Sequence, residues 1–349
     1  MKIITCASYY GGGSSALTDL VAEYDNVQDL TNYEFRFLHD MDGVSDLEFQ
    51  LVECHNRHNS GHALKRFERL SRFNAGSFFN SRYEPFFNYQ YMRLTEEYIR
   101  SLTDFFYKGW WFYDLFDKGT FYYYYKQLQN HIICKLPGKH KGIIPNELIY
   151  CSHPSEENFL KHTRNYVSEL MRAANPQNLP YLEIDQIVPS QNINRILRFF
   201  EDDIYVFIVD RDPRDIYILA KFLKQWPICP SNNVNQFCDW FLYTRQSGFL
   251  EIYDSAKVKR LRFEDLIYCY EKTVKEIEEM IGLDSKNHMA PFMKLNPMRS
   301  VNNTQIWKKY HIEEDISVIE KRLSDYLYPF DEVKGLPILG TQIDDNRSF

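Results

Sequence analysis

Residues 204–215 read IYVFIVDRDPRD, and this stretch decides how the chain folds. Six consecutive apolar residues, Ile204 to Val209, are what a central parallel strand needs, because helices cover both of its faces. Directly after them Asp212 suits the N-cap of a helix, Pro213 its first turn and Asp215 its third position. The stretch therefore reads as strand, short turn and helix, with Arg211 and Arg214 beside the helix N-terminus.

Working outward, the same grammar recurs. Residues 2–7 (KIITCA) form a strand-like run, followed by a Tyr-Tyr-Gly-Gly-Gly-Ser-Ser turn. Leu17, Leu20, Val21 and Tyr24 then fall at the spacing of one helix face. Residues 33–38 (YEFRFL) and 181–187 (YLEIDQI) alternate like half-buried strands. Downstream, Leu219, Phe222, Leu223 and Trp226 return to helical spacing, and 258–263 (VKRLRF) precedes a helix with Val274, Ile277 and Ile281 inward. Strands separated by helices imply an α/β fold, a P-loop-type doubly wound parallel sheet flanked by helices. Residues from about 83 to 130 interrupt the rhythm with Phe, Tyr and Trp, and are expected to form an aromatic-rich helical insertion over the ligand edge. The expected organisation is one domain over 1–330 and a loose polar tail over 331–349.

Composition narrows the function classes. The 349 residues are 44% hydrophobic, enough for a sizeable core. With 41 Lys and Arg against 48 Asp and Glu, the net charge of −7 gives no general attraction to nucleic acid or anionic lipid. Any anion must meet a local site. No signal-peptide pattern and no apolar run of membrane-spanning length are found, so the expectation is a cytoplasmic, bacterial-type protein with at most peripheral membrane contact. Seven cysteines, an odd number without C-x-x-C spacing, fit scattered reduced thiols.

Two candidate anion sites stand out. In Gly11-Gly12-Gly13-Ser14-Ser15, glycines let backbone amides approach an anion, and the helix that follows at Ala16 adds its positive dipole end. The second is the Arg211 turn, since a guanidinium offers a phosphate two parallel hydrogen bonds. In a parallel sheet both turns open on the carboxyl edge, so one ligand with two separated anionic groups would span them. The plain alternative is that Arg211 and Arg214 pair with Asp210, Asp212 and Asp215 at the surface.

These segments resemble the PAPS-dependent sulfotransferases, in the glycan-modifying branch. GGGSSALTDL is similar to the family's 5'-phosphosulfate loop and YVFIVDRDPRDIYI to its 3'-phosphate strand, loop and helix. VKRLRFEDLIYCYEKTVKEIEEMIGL resembles the strand-EDL-helix that follows, and RSVNNTQIWKKY the C-terminal loop that helps cover the nucleotide. The resemblance implies a sulfuryl transfer from PAPS to an acceptor hydroxyl, releasing 3'-phosphoadenosine 5'-phosphate, with no metal. It implies Gly11, Gly12, Gly13, Ser14, Ser15 and Ala16 on the 5' side, Arg211 on the 3'-phosphate, and Arg299, Ser300 and Lys308 near the nucleotide. Two positions depart from the pattern. A basic residue is usual where this chain has Gly11, and a serine where it has Leu219; Lys135, Lys139 and Arg36 are candidates to supply the missing charge.

Such a transfer needs an in-line acceptor oxygen and a base. The glycan branch takes its base from an acid soon after the first helix, which points to Glu34, with His39, Asp40, Asp42, Asp46 and Glu48 as further candidates and Ser14 as a catalytic hydroxyl. Arg57 and His58, with Lys65 and Arg66, are expected at the acceptor entrance, and aromatic residues between Phe86 and Tyr125 offer a platform for sugar rings. The expected partner is a carbohydrate, of capsule or lipopolysaccharide type. The run from Cys54 to His62 lacks a recognised metal-ligand pattern, so no metal is expected. Two rival readings are a P-loop kinase or NTPase, whose motif needs Lys at Ser14 and Gly at Ser8, and a non-catalytic nucleotide or glycan binder.

Overall fold

A computed structural model describes residues 1–77, 80–110, 112–138, 147–224 and 227–332. Its strands are β1 (Lys2–Cys6), β2 (Val27–Glu34), β3 (Gly76–Ser77), β4 (Asn80–Ser81), β5 (Phe105–Gly109), β6 (Glu147–Cys151), β7 (Tyr181–Asp185), β8 (Asp203–Asp210) and β9 (Val258–Arg262). The chain divides into two compact units, Met1–Arg36 with Gln177 onward, and Phe37–Pro176.

The first unit is built on a five-stranded sheet in the order β2-β7-β1-β8-β9, all neighbours parallel. β8 is buried from Ile204 to Asp210, as its unbroken apolar run requires. One face packs the helix Ser14–Val21 through Leu17, Leu20 and Val21 onto Ile4, Phe207 and Val209, together with Val274, Ile277 and Ile281 of the helix Tyr270–Ile281. A second apolar cluster joins Ile216, Tyr217 and Ile218 to Phe237 and Phe241 of the helix Val234–Leu250 and to Ile316, Ile319 and Leu323. Each fully buried side chain of this size contributes about 1.5–3 kcal/mol. Because β1 lies between β7 and β8, chain order changes direction beside it, and the turns after these three strands meet at the carboxyl edge.

The alternating stretch 33–38 is not a strand over its length. β2 runs earlier, paired with β7 at Val27–Asp29 and, after a bulge, at Glu34. Phe35 still donates its N–H to the Asp185 carbonyl at 2.9 Å. Phe37 and Leu38, however, are fully buried in the second unit, where Phe37 meets Tyr83, Phe87, Tyr91 and Tyr166 edge-on. Their apolar character serves that core.

The second unit also corrects the all-helical reading of 83–130. The helices Tyr91–Leu102 and Phe112–Cys134 are present, the latter interrupted at Gly119, but β5 pairs antiparallel with β6 between them and beyond. The aromatic residues divide between two environments. Phe87, Tyr91 and Tyr98 are core, whereas Phe105, Phe106, Phe116, Phe121 and Tyr124 are exposed. Residues 333–349, which include most of the expected tail, and Trp226 and Lys139 lie outside the described residues. No described helix is long and apolar enough to cross a membrane.

Candidate anion-binding site

The turn after β1 is made by backbone. Gly13 caps the helix Ser14–Val21 with φ 85°, a left-handed conformation that costs other residues about 1–2 kcal/mol. A methyl group there would also lie 2.6 Å from Phe263 Cδ2. Gly12 is buried and donates to the Tyr9 carbonyl at 2.9 Å, and Ala16, also buried, donates to the Gly13 carbonyl at 3.1 Å. The N–H groups of Ser14 and Ser15 find no acceptor among the described residues, and both side chains are half-buried. Gly11 holds φ 74°, so the basic residue usual at this position would be strained here.

The turn after β8 is made by side chains. Asp212 caps the helix Pro213–Ile218 at the Arg214 N–H, accepts the Tyr328 N–H, and binds the Arg214 guanidinium at 2.8 and 2.9 Å. Arg214 also pairs with Glu320 at 2.8 Å and stacks 3.9 Å from the Trp307 ring. Asp215 accepts the N–H groups of Gln305 and Ile306 at 2.9 and 2.8 Å. Asp210 takes a bidentate pair from the fully buried Arg245, at 2.9 and 2.8 Å. Glu264, the acid of the R-F-E-D-L run, accepts the Asp212 N–H at 2.8 Å and is pushed up to about 7 by burial. All three aspartates of the turn are thus occupied, and Arg214 is a structural residue.

Arg211 differs. It is 3% exposed and its Nη2 donates to the Asn303 carbonyl, while its buried Nε has no hydrogen-bond partner. Burial lowers its proton affinity, against the pull of Asp215, Glu264 and Asp212. A charged donor left unsatisfied costs about 1–3 kcal/mol or more. Its guanidinium lies 4.8 Å from the centroid of the Phe263 ring, the ring that closes against Gly13. One aromatic side chain therefore stands between the glycine turn and the arginine turn.

On the other side of β1, β7 ends in buried acid. Asp185 is 8% exposed, with Oδ1 unpartnered, and its carboxyl is pushed up to about 8 by burial and by Glu34 beside it. Two residues back Glu183 is 1% exposed with both oxygens unpartnered, and is held well above the usual range by burial and by Asp185. The next residue, Gln186, donates through its side chain to Ser8 Oγ at 3.0 Å, which ties the end of β7 to the approach of the glycine turn. Glu34 pairs in register with Asp185, but is exposed and lies 3.4 Å from Arg36.

The remaining expectations fall unevenly. The 301–309 stretch is brought to the Arg211 turn through Asn303, Gln305, Ile306 and Trp307. Lys308 is exposed, with Nζ on Gln305 Oε1, whereas no hydrogen bond or ion pair among the described residues ties the side chain of exposed Arg299 or half-buried Ser300 to either turn. Leu219 is buried in apolar core. Lys135 is exposed in the second unit. So are Arg57 and His58, which line a small cavity there; Asp42 is bound to Arg66 at 2.6 Å and Glu48 is buried. Phe106 lines a separate cavity of about 260 Å³ with Glu68, Glu96 and Arg100. His55 stacks on His153, and among the described residues no three His, Cys, Asp or Glu are grouped to hold a metal ion.

Sequence reasoning missed Arg245 and Asp185. Arg245 sits mid-helix, 35 residues from the Asp210 it binds, and nothing local marks that pairing. Glu183 and Asp185 did leave a signal, two acids of one parity in a strand expected between helices.

No protein-family model matches the chain, and no curated protein matches it. Among solved structures, it is similar to the sulfotransferase domain from the Synechococcus PCC 7002 olefin synthase, with 12% identity and a TM-score of 0.42 over 94% of this chain and 95% of that one. It is also similar to the sulfotransferase STF1 from Mycobacterium tuberculosis H37Rv, with 10% identity and a TM-score of 0.34 over 93% and 76% of the two chains.

Proposed function

We propose that this chain is a sulfotransferase that moves a sulfuryl group from PAPS to a hydroxyl of a glycan acceptor, of the capsule or lipopolysaccharide type. The observation that carries the reading is the shared Phe263 ring, with the open amides of the glycine turn on one side and the unsatisfied Arg211 on the other. Two anion-seeking groups in one unit, held apart by one side chain, suit a ligand charged at both ends.

On this reading Arg211 holds the ribose 3'-phosphate, and its Nε–H finds there the acceptor it otherwise lacks. The Ser14 and Ser15 amides and hydroxyls hold the 5' phosphosulfate at the helix N-terminus. The donor supplies the sulfuryl group. Asp185 takes the acceptor proton at Oδ1, since a carboxyl titrating near working pH is a better base than an exposed one. Glu34, the acid expected from sequence, is then its charged neighbour, raising Asp185's proton affinity.

Thermal shift with 3'-phosphoadenosine 5'-phosphate, without magnesium, tests the reading. The nucleotide at a hundred times its Kd stabilises the fold by about 2.7 kcal/mol. Arg211→Ala removes this shift and keeps the fold; Arg214→Ala keeps the shift and lowers the unliganded melting temperature. Unchanged affinity in Arg211→Ala, or preference for ATP with magnesium, defeats the proposal. Nucleotide binding without sulfate transfer to any glycan leaves a binder in place of an enzyme.

A further inference from the structure

The unit Phe37–Pro176 carries a helix packed inside out. Beyond the interruption at Gly119, the helix Phe112–Cys134 buries Tyr122, Lys126, Gln129, Asn130 and Ile133 wholly or in part. That side is mostly polar. Tyr122 donates its hydroxyl to Glu147 at the start of β6, and Lys126 pairs with the same carboxylate at 3.2 Å. Phe121, Tyr124, Tyr125, Leu128 and Ile132 fall on another face, at the three- and four-residue spacing of a single stripe, and every one is exposed. Leu136, just past the helix end, extends it. A surface helix ordinarily sets its apolar stripe against the core and its polar side in water. This one does the reverse.

The uncovered area is large. Aromatic residues present about 150–250 Å² each, so Phe121, Tyr124 and Tyr125, 93%, 65% and 58% exposed, leave about 430 Å² in water. With the three aliphatic residues, each about half exposed, the stripe passes the roughly 300–600 Å² of a typical monomer's largest apolar patch. It approaches the ~800 Å² that one partner gives a standard interface. Gln127 and His131, exposed beside it, supply the polar rim that such interfaces have.

We infer that this stripe is the contact surface of a homodimer, covered by the same stripe of a second copy. Phe121, Tyr125, Leu128 and Ile132 follow one another by four, three and four residues, the spacing with which two helices interlock side chains along a seam. An uncharged apolar face is its own complement under a two-fold axis, which brings the same patch of both copies together. A lipid surface is the poorer occupant. Interfacial helices set cations beside their apolar face, whereas Lys118 and Lys126 are held by Glu147 at 3.1 and 3.2 Å and the net charge of the chain is −7. A sugar suits only the aromatic end, since Leu128, Ile132 and Leu136 offer it no ring face. None of these residues belongs to either anion-seeking turn, so the dimer does not depend on the sulfotransferase reading.

Sedimentation velocity of the full-length protein, over a dilution series reaching well above micromolar, tests it. Expected is a species of twice the chain's 41.9 kDa, with a Kd in the micromolar range or below. Phe121→Ser with Leu128→Ser weakens the dimer by at least about a hundredfold, since each substitution acts twice across the axis. Both side chains are exposed in the single copy, so its urea midpoint under dissociating dilution is unchanged. Phe105→Ser, at an exposed aromatic residue of β5 outside the stripe, leaves the dimer intact. A chain that stays monomeric throughout the series overturns the surface, as does a dimer indifferent to the stripe substitutions or lost equally to Phe105→Ser. A monomer that cosediments through these residues with vesicles of phosphatidylcholine and phosphatidylglycerol also overturns it, and hands the stripe to lipid.

Discussion

The strands on either side of β1 end in opposite ways. β8 ends in a turn whose every acid is engaged, Asp210 by Arg245, Asp212 by Arg214 and Tyr328, and Asp215 by the backbone at Gln305 and Ile306. β7 ends in Glu183 and Asp185, three of whose four carboxyl oxygens have no partner. The first arrangement buys rigidity and leaves a single donor, Arg211 Nε, unsatisfied. The second costs stability increasingly as pH rises and holds protons that an ordinary carboxyl would release. The glycine turn lies between a prepared cation and a prepared acid, and contributes mainly backbone.

The largest test breaks the wired side. Asp210→Ala leaves the guanidinium of Arg245, fully buried between the rings of Tyr9 and Phe241, without its partner. We expect a loss of about 3–5 kcal/mol in urea unfolding. A loss below about 1 kcal/mol would mean that the network does not hold the turn.

A smaller effect is expected between the two sides. Gly13→Ala meets both the left-handed backbone and the Phe263 ring, and costs about 1–3 kcal/mol. Since the same ring faces Arg211, the proposed function predicts that nucleotide affinity falls with it. Full affinity in a folded Gly13→Ala protein would separate the two turns.

The acid side gives the gentlest signal. Asp185 has its folded pKa raised to about 8 from an ordinary value near 4, so between these limits the unfolded chain binds fewer protons than the folded one. Its contribution to stability is complete below about pH 4 and is lost as pH rises through 8, with a slope of at most about 1.4 kcal/mol per pH unit. Asp185→Asn is expected to flatten that slope and, on the proposed function, to lower a sulfate transfer that would rise with pH through about 8 in the parent. An unaltered slope and rate in the asparagine variant would return the base to Glu34.

How much of this was legible in sequence follows the same division. β8 and its helix were readable because Ile204–Val209 and Asp212-Pro213 act within a dozen residues. The different settings of Arg211 and Arg214 were not readable, since what separates them comes from Asn303, Trp307 and Glu320, about a hundred residues away. β2 was displaced because Phe37 and Leu38 alternate like strand residues while filling another core. The acids of β7 were visible as residues, but nothing local says that both would be left without partners.

Phe263 lies just beyond β9, outside either turn, yet both abut its ring. It works as a calliper. On the proposed function, the width of that benzene ring sets how long a molecule must be to touch both ends at once, so leucine in its place would alter which lengths are accepted before it altered any chemistry.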